Sequence, residues 1–121
     1  MSAPTIWHNP RCSKSRETLA LIEGKGIAPV VVEYLKTPPG PAELARVLAL
    51  LGKGARDIVR RKEAAEAGID VAALSEPELI EALCAHPAAI ERPIVITADK
   101  AAVGRPPESV LEILLPESAS S

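Results

Sequence analysis

The chain has 121 residues and a mass of 12.7 kDa, enough for one hydrophobic core and too little for two domains of ordinary size. With no Phe and a single Trp and Tyr among 47% hydrophobic residues, that core has to be built from Ala, Leu, Ile and Val. The formal net charge of −2 argues against a general nucleic-acid binder. It is unevenly spread, with 11 Lys and Arg against five Asp and Glu up to Lys62, then three against 11. Such a split leaves room for a local basic site that takes a small anion. No apolar run approaches the ~20 residues of a membrane span, and the first residues lack the basic-then-apolar pattern of a secretion signal. The expectation is a soluble, cytoplasmic protein with neither membrane nor nucleic acid as partner. Two cysteines in that setting are catalytic, metal-binding or buried more often than disulfide-bonded.

Thr5-Ile6-Trp7-His8 reads as a short strand halted by Asn9-Pro10, since proline cannot continue a ladder. Residues 13–23 carry Leu19 and Ile22 at helical spacing and stop at Gly24-Lys25-Gly26, which puts Cys12 at a helix N-terminus. Val30-Val31-Val32 with Tyr34 is the strongest strand signal, closed by Thr37-Pro38-Pro39-Gly40. Leu44, Val47, Leu48 and Leu51 then define a helix, with Pro41 in its first turn and Gly52 after its last. A shorter amphipathic stretch over 55–62 leads into a polar segment ending at Asp70. A third long helix starts at the Ser75-x-x-Glu78 capping box and ends at His86-Pro87. Residues 94–97 read as a strand, 98–100 as a turn and 101–103 as its hairpin partner. A closing helix over 107–115 and a frayed tail over 116–121 complete the chain. The order is βαβ, a helical block, then ββα. That is a thioredoxin-like α/β arrangement, one domain over 1–121 with a helical insertion at about 41–90. Arrangement alone assigns no activity.

Chemistry concentrates in His8-Asn9-Pro10-Arg11-Cys12-Ser13-Lys14-Ser15-Arg16. A cysteine attacks as its thiolate, and an unperturbed thiol with a pKa of ~8.5 is mostly protonated at neutral pH unless positive charge or a helix N-terminus favours the anion. Cys12 has both at hand: the unsatisfied N–H groups of a helix start, and Arg11, Lys14 and Arg16 within a turn. His8 ends the preceding strand, and Ser15 stands where its hydroxyl can donate to the sulfur. The same donors, with Arg11, Lys14 and Arg16 as secondary contacts, suit a tetrahedral oxyanion. Cys84 falls beside Leu79, Ile80 and Leu83 and reads as a packing residue. His8, Cys12, Cys84 and His86 include zinc-ligand types, but Cys84-x-His86 is tighter than usual ligand spacings, so no metal is expected. Thr18 stands where a phosphatase-type Cys-x5-Arg loop needs its arginine, and Gly52-Lys53-Gly54 is a helix stop rather than a phosphate-binding loop.

HNPRCSKSR, Tyr34-Leu35-Lys36-Thr37-Pro38-Pro39, Arg60-Arg61-Lys62-Glu63, Glu91-Arg92-Pro93-Ile94-Val95 and Gly104-Arg105-Pro106 together resemble the glutaredoxin-coupled arsenate reductases, over residues 5–115. The resemblance implies a thioredoxin-like domain with a helical insert, a nucleophile at Cys12, a thiolate-supporting histidine at His8 and a steadying hydroxyl at Ser15. It implies oxyanion-binding arginines at Arg60, Arg92 and Arg105, whose permanent charge and forked donors match such a ligand. It further implies attack of Cys12 on arsenate, displacement of oxygen on the adduct by glutathione as cosubstrate, and resolution by the partner glutaredoxin with release of arsenite. No bound cofactor is implied. In such folds the Arg-Pro before the third strand is commonly cis, which makes Arg92-Pro93 the candidate. Small neutral residues follow the cysteine in the best-established branch, whereas Ser13-Lys14 follow it here, and Ala64-Ala65-Glu66-Ala67-Gly68 lacks an aromatic often found there. Ser15 replaces a second cysteine at i+3, so the resolving thiol must come from another molecule. Relatives of this fold that regulate transcription through RNA polymerase use a Cys-x-x-Cys switch, which Cys12-Ser13-Lys14-Ser15 lacks.

Overall fold

In a computed structural model that describes residues 3–91 and 93–114, the elements in chain order are β1 (Thr5–Trp7), α1 (Ser13–Gly24), β2 (Val30–Val32), α2 (Pro41–Leu51), α3 (Arg61–Glu66), α4 (Glu76–Ala85), β3 (Ile94–Ile96), β4 (Ala101–Val103) and α5 (Leu111–Leu114). Short 3₁₀ turns lie at Ala55–Ile58, Pro87–Ala89 and Pro107–Val110. The chain forms two compact units, one of Met1–Glu33 with Arg92–Ser121, the other of Tyr34–Glu91.

The first unit is built on a four-stranded sheet ordered β2-β1-β3-β4. β1 runs parallel to β2 and antiparallel to β3, which pairs antiparallel with β4; Ile6 stands opposite Val31 on one side and Val95 on the other. Parallel neighbours need a crossover, and α1 supplies it. Ile6, Ile22, Val95 and Val110 are fully buried together, with Leu19, Ile27 and Ala102 packed against them, and each such side chain contributes ~1.5–3 kcal/mol by leaving water. The aliphatic core and the thioredoxin-like order are those expected. β2, the strongest strand signal, lies at the sheet edge with Val30 53% and Val31 44% exposed. The closing helix is split, because Ser109 N–H reaches Pro106 O at 2.9 Å in a tighter 3₁₀ turn before α5 begins. Leu115 and the tail lie outside the described residues, as does Arg92, so the state of the Arg92-Pro93 peptide is not described. The Arg105-Pro106 peptide is cis.

In the second unit α2 buries Leu44, Val47 and Leu48 and ends on Gly52 in the left-handed region, φ 68°. α4 buries Leu79 and Leu83 and starts with the capping box read from sequence: Glu78 N–H donates to Ser75 Oγ at 3.3 Å and Ser75 N–H to Glu78 Oε1 at 2.9 Å. The 55–62 stretch differs from expectation. A 3₁₀ turn ends at Ile58, Val59 bridges Ile90, and a helix absent from the sequence reading, α3, then begins. The bridge explains the break: Arg60 N–H donates to Ala89 O and Glu91 N–H to Ile58 O, each at 2.7 Å. Those pairings hold residues 59 and 60 extended against their helical pattern.

Candidate active site

Cys12 is the N-cap of α1, with extended φ and ψ of −96° and 124°, and its carbonyl accepts the first helical bond from Arg16 N–H at 3.0 Å. The first turn, Ser13-Lys14-Ser15-Arg16, contains no acidic residue. Its leading N–H groups therefore meet an anion with helix dipole and side-chain charge of one sign. The loop that delivers Cys12 is tied at every step. His8 N–H donates to Val32 O at 2.8 Å and Cys12 N–H to Asn9 O at 3.0 Å. Asn9 Oδ1 accepts from Arg11 N–H at 3.0 Å, the side-chain turn that Asn favours. Arg16 Nη1 donates to Pro10 O at 2.9 Å.

Beneath the loop Ser15 is fully buried. Its Oγ lies 2.6 Å from His8 Nδ1 and accepts Asn9 N–H at 2.9 Å. A hydroxyl has one proton to give. When His8 Nδ1 bears no hydrogen, Ser15 spends its proton on the ring; when Nδ1 carries one, the Ser15 proton is released to point elsewhere. His8 is itself buried, and burial is the largest influence lowering its pKa from 6.5; Glu33 opposes this, Arg16 adds to it, and Glu23 opposes it. The ring is therefore neutral at pH 7. The fold thus gives His8 as a neutral ring in contact with Ser15, and the tautomer of that ring sets the direction of the Ser15 proton.

The remaining predicted residues divide. Arg11 and Lys14 are exposed, Lys14 Nζ being 4.0 Å from Glu17. Arg105 is exposed on the loop after β4, next to a buried Gly104. A Cβ on Gly104 would come within 2.7 Å of Thr18 Oγ1 and 2.8 Å of Pro93 Cγ, so only glycine lets this loop approach α1. Arg60 belongs to the second unit, where its guanidinium pairs with Glu63 at 2.8 Å and Glu91 at 4.0 Å. Cys84 is half-buried, with its thiol pushed up by burial first and by Glu81 second, the setting of an unreactive sulfur. Among the described residues no cluster of three or more His, Cys, Asp or Glu could hold a metal ion, and no helix is long and apolar enough to cross a membrane. Three participants were not singled out from sequence: Asn9, Glu63 and Glu91. Asn9-Pro10 was legible as a turn, but the use of the Asn9 N–H to fix Ser15 was not.

These features define a thioredoxin-like protein with a cysteine at the N-cap of α1 and a buried histidine–serine pair joining the preceding loop to the first turn of that helix. The chain belongs to the ArsC family, whose model matches residues 7–113. It is 50% identical over 112 residues to an arsenate reductase of Haemophilus influenzae, across 90% of this chain and 97% of that one. The same identity over 112 residues relates it to the uncharacterised protein YfgD of Escherichia coli K12, across 90% and 94%. The structure named arsenate reductase from Vibrio cholerae superposes with a TM-score of 0.86 at 48% identity, over 92% of this chain and 97% of that one.

Proposed function

We propose that this chain is a cytoplasmic arsenate reductase using glutathione and glutaredoxin, with Cys12 as nucleophile. The observation that carries the reading is Cys12 at the N-cap of α1 over the His8–Ser15–Asn9 network, in a chain half identical to a relative named for that activity. Cys12 sulfur attacks arsenic and a water leaves, forming a sulfur–arsenic(V) bond. Glutathione displaces a second oxygen as water. A glutaredoxin thiolate then attacks the glutathione sulfur, and the sulfur–arsenic electron pair stays on arsenic, which becomes arsenic(III). Hydrolysis of the remaining bond frees arsenite and Cys12, and the two thiols that supplied arsenic with its two electrons leave joined as a glutaredoxin–glutathione disulfide. Helix N–H groups and Ser15 favour the Cys12 thiolate, while Arg60, Arg92 and Arg105 supply charge to the oxyanion, with Arg11, Lys14 and Arg16 as secondary contacts. No bound cofactor takes part.

The test is arsenite formed from arsenate, resolved by chromatography, in the presence of glutathione and glutaredoxin, each thiol component being omitted in turn and replaced by dithiothreitol as a general reductant. Turnover that collapses on omission of either supports the coupling. Undiminished turnover without them removes the coupling. No turnover with arsenate under any condition, together with a specific contact to RNA polymerase, replaces the enzyme reading with the regulatory one.

A further inference from the structure

We infer that Glu63 tunes oxyanion affinity by competing for the Arg60 guanidinium, so that ligand binding at Arg60 is an exchange of one anion for another. The inference rests on the reading of Arg60 as an oxyanion contact. Arg60 is the N-cap of α3 and Glu63 its third helical residue, so the pair is local and its backbone is fixed at both ends: Ala64 N–H donates to Arg60 O at 2.9 Å and Arg60 N–H to Ala89 O at 2.7 Å. Glu63 Oε2 sits 2.8 Å from Nη1, and Glu91 Oε1 lies 4.0 Å from Nε. The side chains of Arg60, Glu63 and Glu91 are 22%, 24% and 28% exposed.

A planar guanidinium offers two edges for a forked grip, the Nη1/Nη2 end and the Nε/Nη2 side. A carboxylate stands at one nitrogen of each edge. An arriving oxyanion therefore meets a guanidinium whose charge is already offset, at Nη1 by Glu63 at 2.8 Å and more weakly by Glu91 at 4.0 Å from Nε. Glu63 is the one in close contact, and it has somewhere to go. Its side chain lines a surface cavity of about 460 Å³ bounded also by Leu35, Glu66, Ala67, His86 and Ala89, where a released carboxylate regains water. The exchange thus costs the pair and little else, and an ion pair still in partial contact with water is worth ~1 kcal/mol, about fivefold in affinity.

The experiment measures arsenate affinity by NMR titration at fixed ionic strength on the Cys12→Ser background, where no adduct forms, in four forms: parent, Glu63→Gln, Arg60→Ala and both together. KM and kcat for arsenate are measured with Cys12 intact. Glu63→Gln keeps the side-chain volume and the helical position. The expected result is a three- to fivefold tighter Kd and lower KM for Glu63→Gln, with kcat moving less than KM, at least fivefold weaker binding for Arg60→Ala, and no effect of Glu63→Gln once Arg60 is gone. Unchanged or weaker binding in Glu63→Gln, with Arg60→Ala still weakening it, overturns the competition and leaves Arg60 as an anion contact. Unchanged binding in Arg60→Ala overturns the reading of Arg60 and the inference with it.

Discussion

Replacing Ser15 by Ala removes one oxygen and strands two partners. Ser15 is fully buried, and its Oγ is the acceptor for Asn9 N–H at 2.9 Å and the partner of His8 Nδ1 at 2.6 Å. A buried polar group left without its hydrogen bond costs ~1–3 kcal/mol. The orphaned amide takes most of that range, and the ring nitrogen of the buried His8 adds a smaller share, for a total of about 2–4 kcal/mol. Against a domain stability of ~5–15 kcal/mol this is large. With a urea m-value near ~2 kcal/mol/M the unfolding midpoint drops by about 1–2 M. Ser13→Ala is the matched control, since Ser13 is exposed in the same turn, and its change should stay within ~0.5 kcal/mol. Equal midpoints for Ser15→Ala and Ser13→Ala would refute the claim that Ser15 holds the loop, and would remove the basis for treating His8, Asn9 and Ser15 as one network.

Gly104→Ala forces a Cβ to 2.7 Å from the buried Thr18 Oγ1, itself donating to Lys14 O at 2.7 Å, so overpacking costs ~1–3 kcal/mol. Gly24→Ala, with nothing within 4 Å, is neutral or slightly stabilising, and equal melting temperatures for the two variants contradict the close approach. The pH dependence follows from His8. Its pKa is lowered on folding, mainly by burial, so the unfolded chain binds that proton more readily and stability rises with pH. Stability is therefore lost as pH falls through about 6.5, the unfolded value, toward the lower folded value. Urea midpoints at pH 7.5 and 5.5 should differ more for the parent than for His8→Gln; parallel changes in the two proteins contradict the assignment.

The fold was largely legible because its signals were local. The β-branched runs, the Ser75-x-x-Glu78 box, Pro41 with Gly52, and the leucine spacing of α2 each depend on neighbours in sequence, and each appears where expected. The misread stretch at 55–62 failed for a long-range reason. Val59 pairs with Ile90, and no pattern within that stretch announces a partner 31 positions away. Burial in β2 was similarly invisible, since three valines in a row look alike at a sheet centre and at an edge. Cys12 at a helix start was readable from the Asn-Pro turn and the helical spacing that follows. The neutral state of His8 was not, because it depends on depth and on Glu33 and Arg16 rather than on its place at a strand end. Likewise the arginines were visible as charge, but the approach of Glu91 to Arg60 depends on the Val59–Ile90 bridge bringing two segments together.

The central claim is that one of the two thiols does the chemistry. The direct measurement is arsenite formed from arsenate, resolved by chromatography, for the parent, Cys12→Ser and Cys84→Ser under identical conditions. The account predicts arsenite from the parent and from Cys84→Ser and none above background from Cys12→Ser. Arsenite formed by Cys12→Ser at the parent's rate would contradict it.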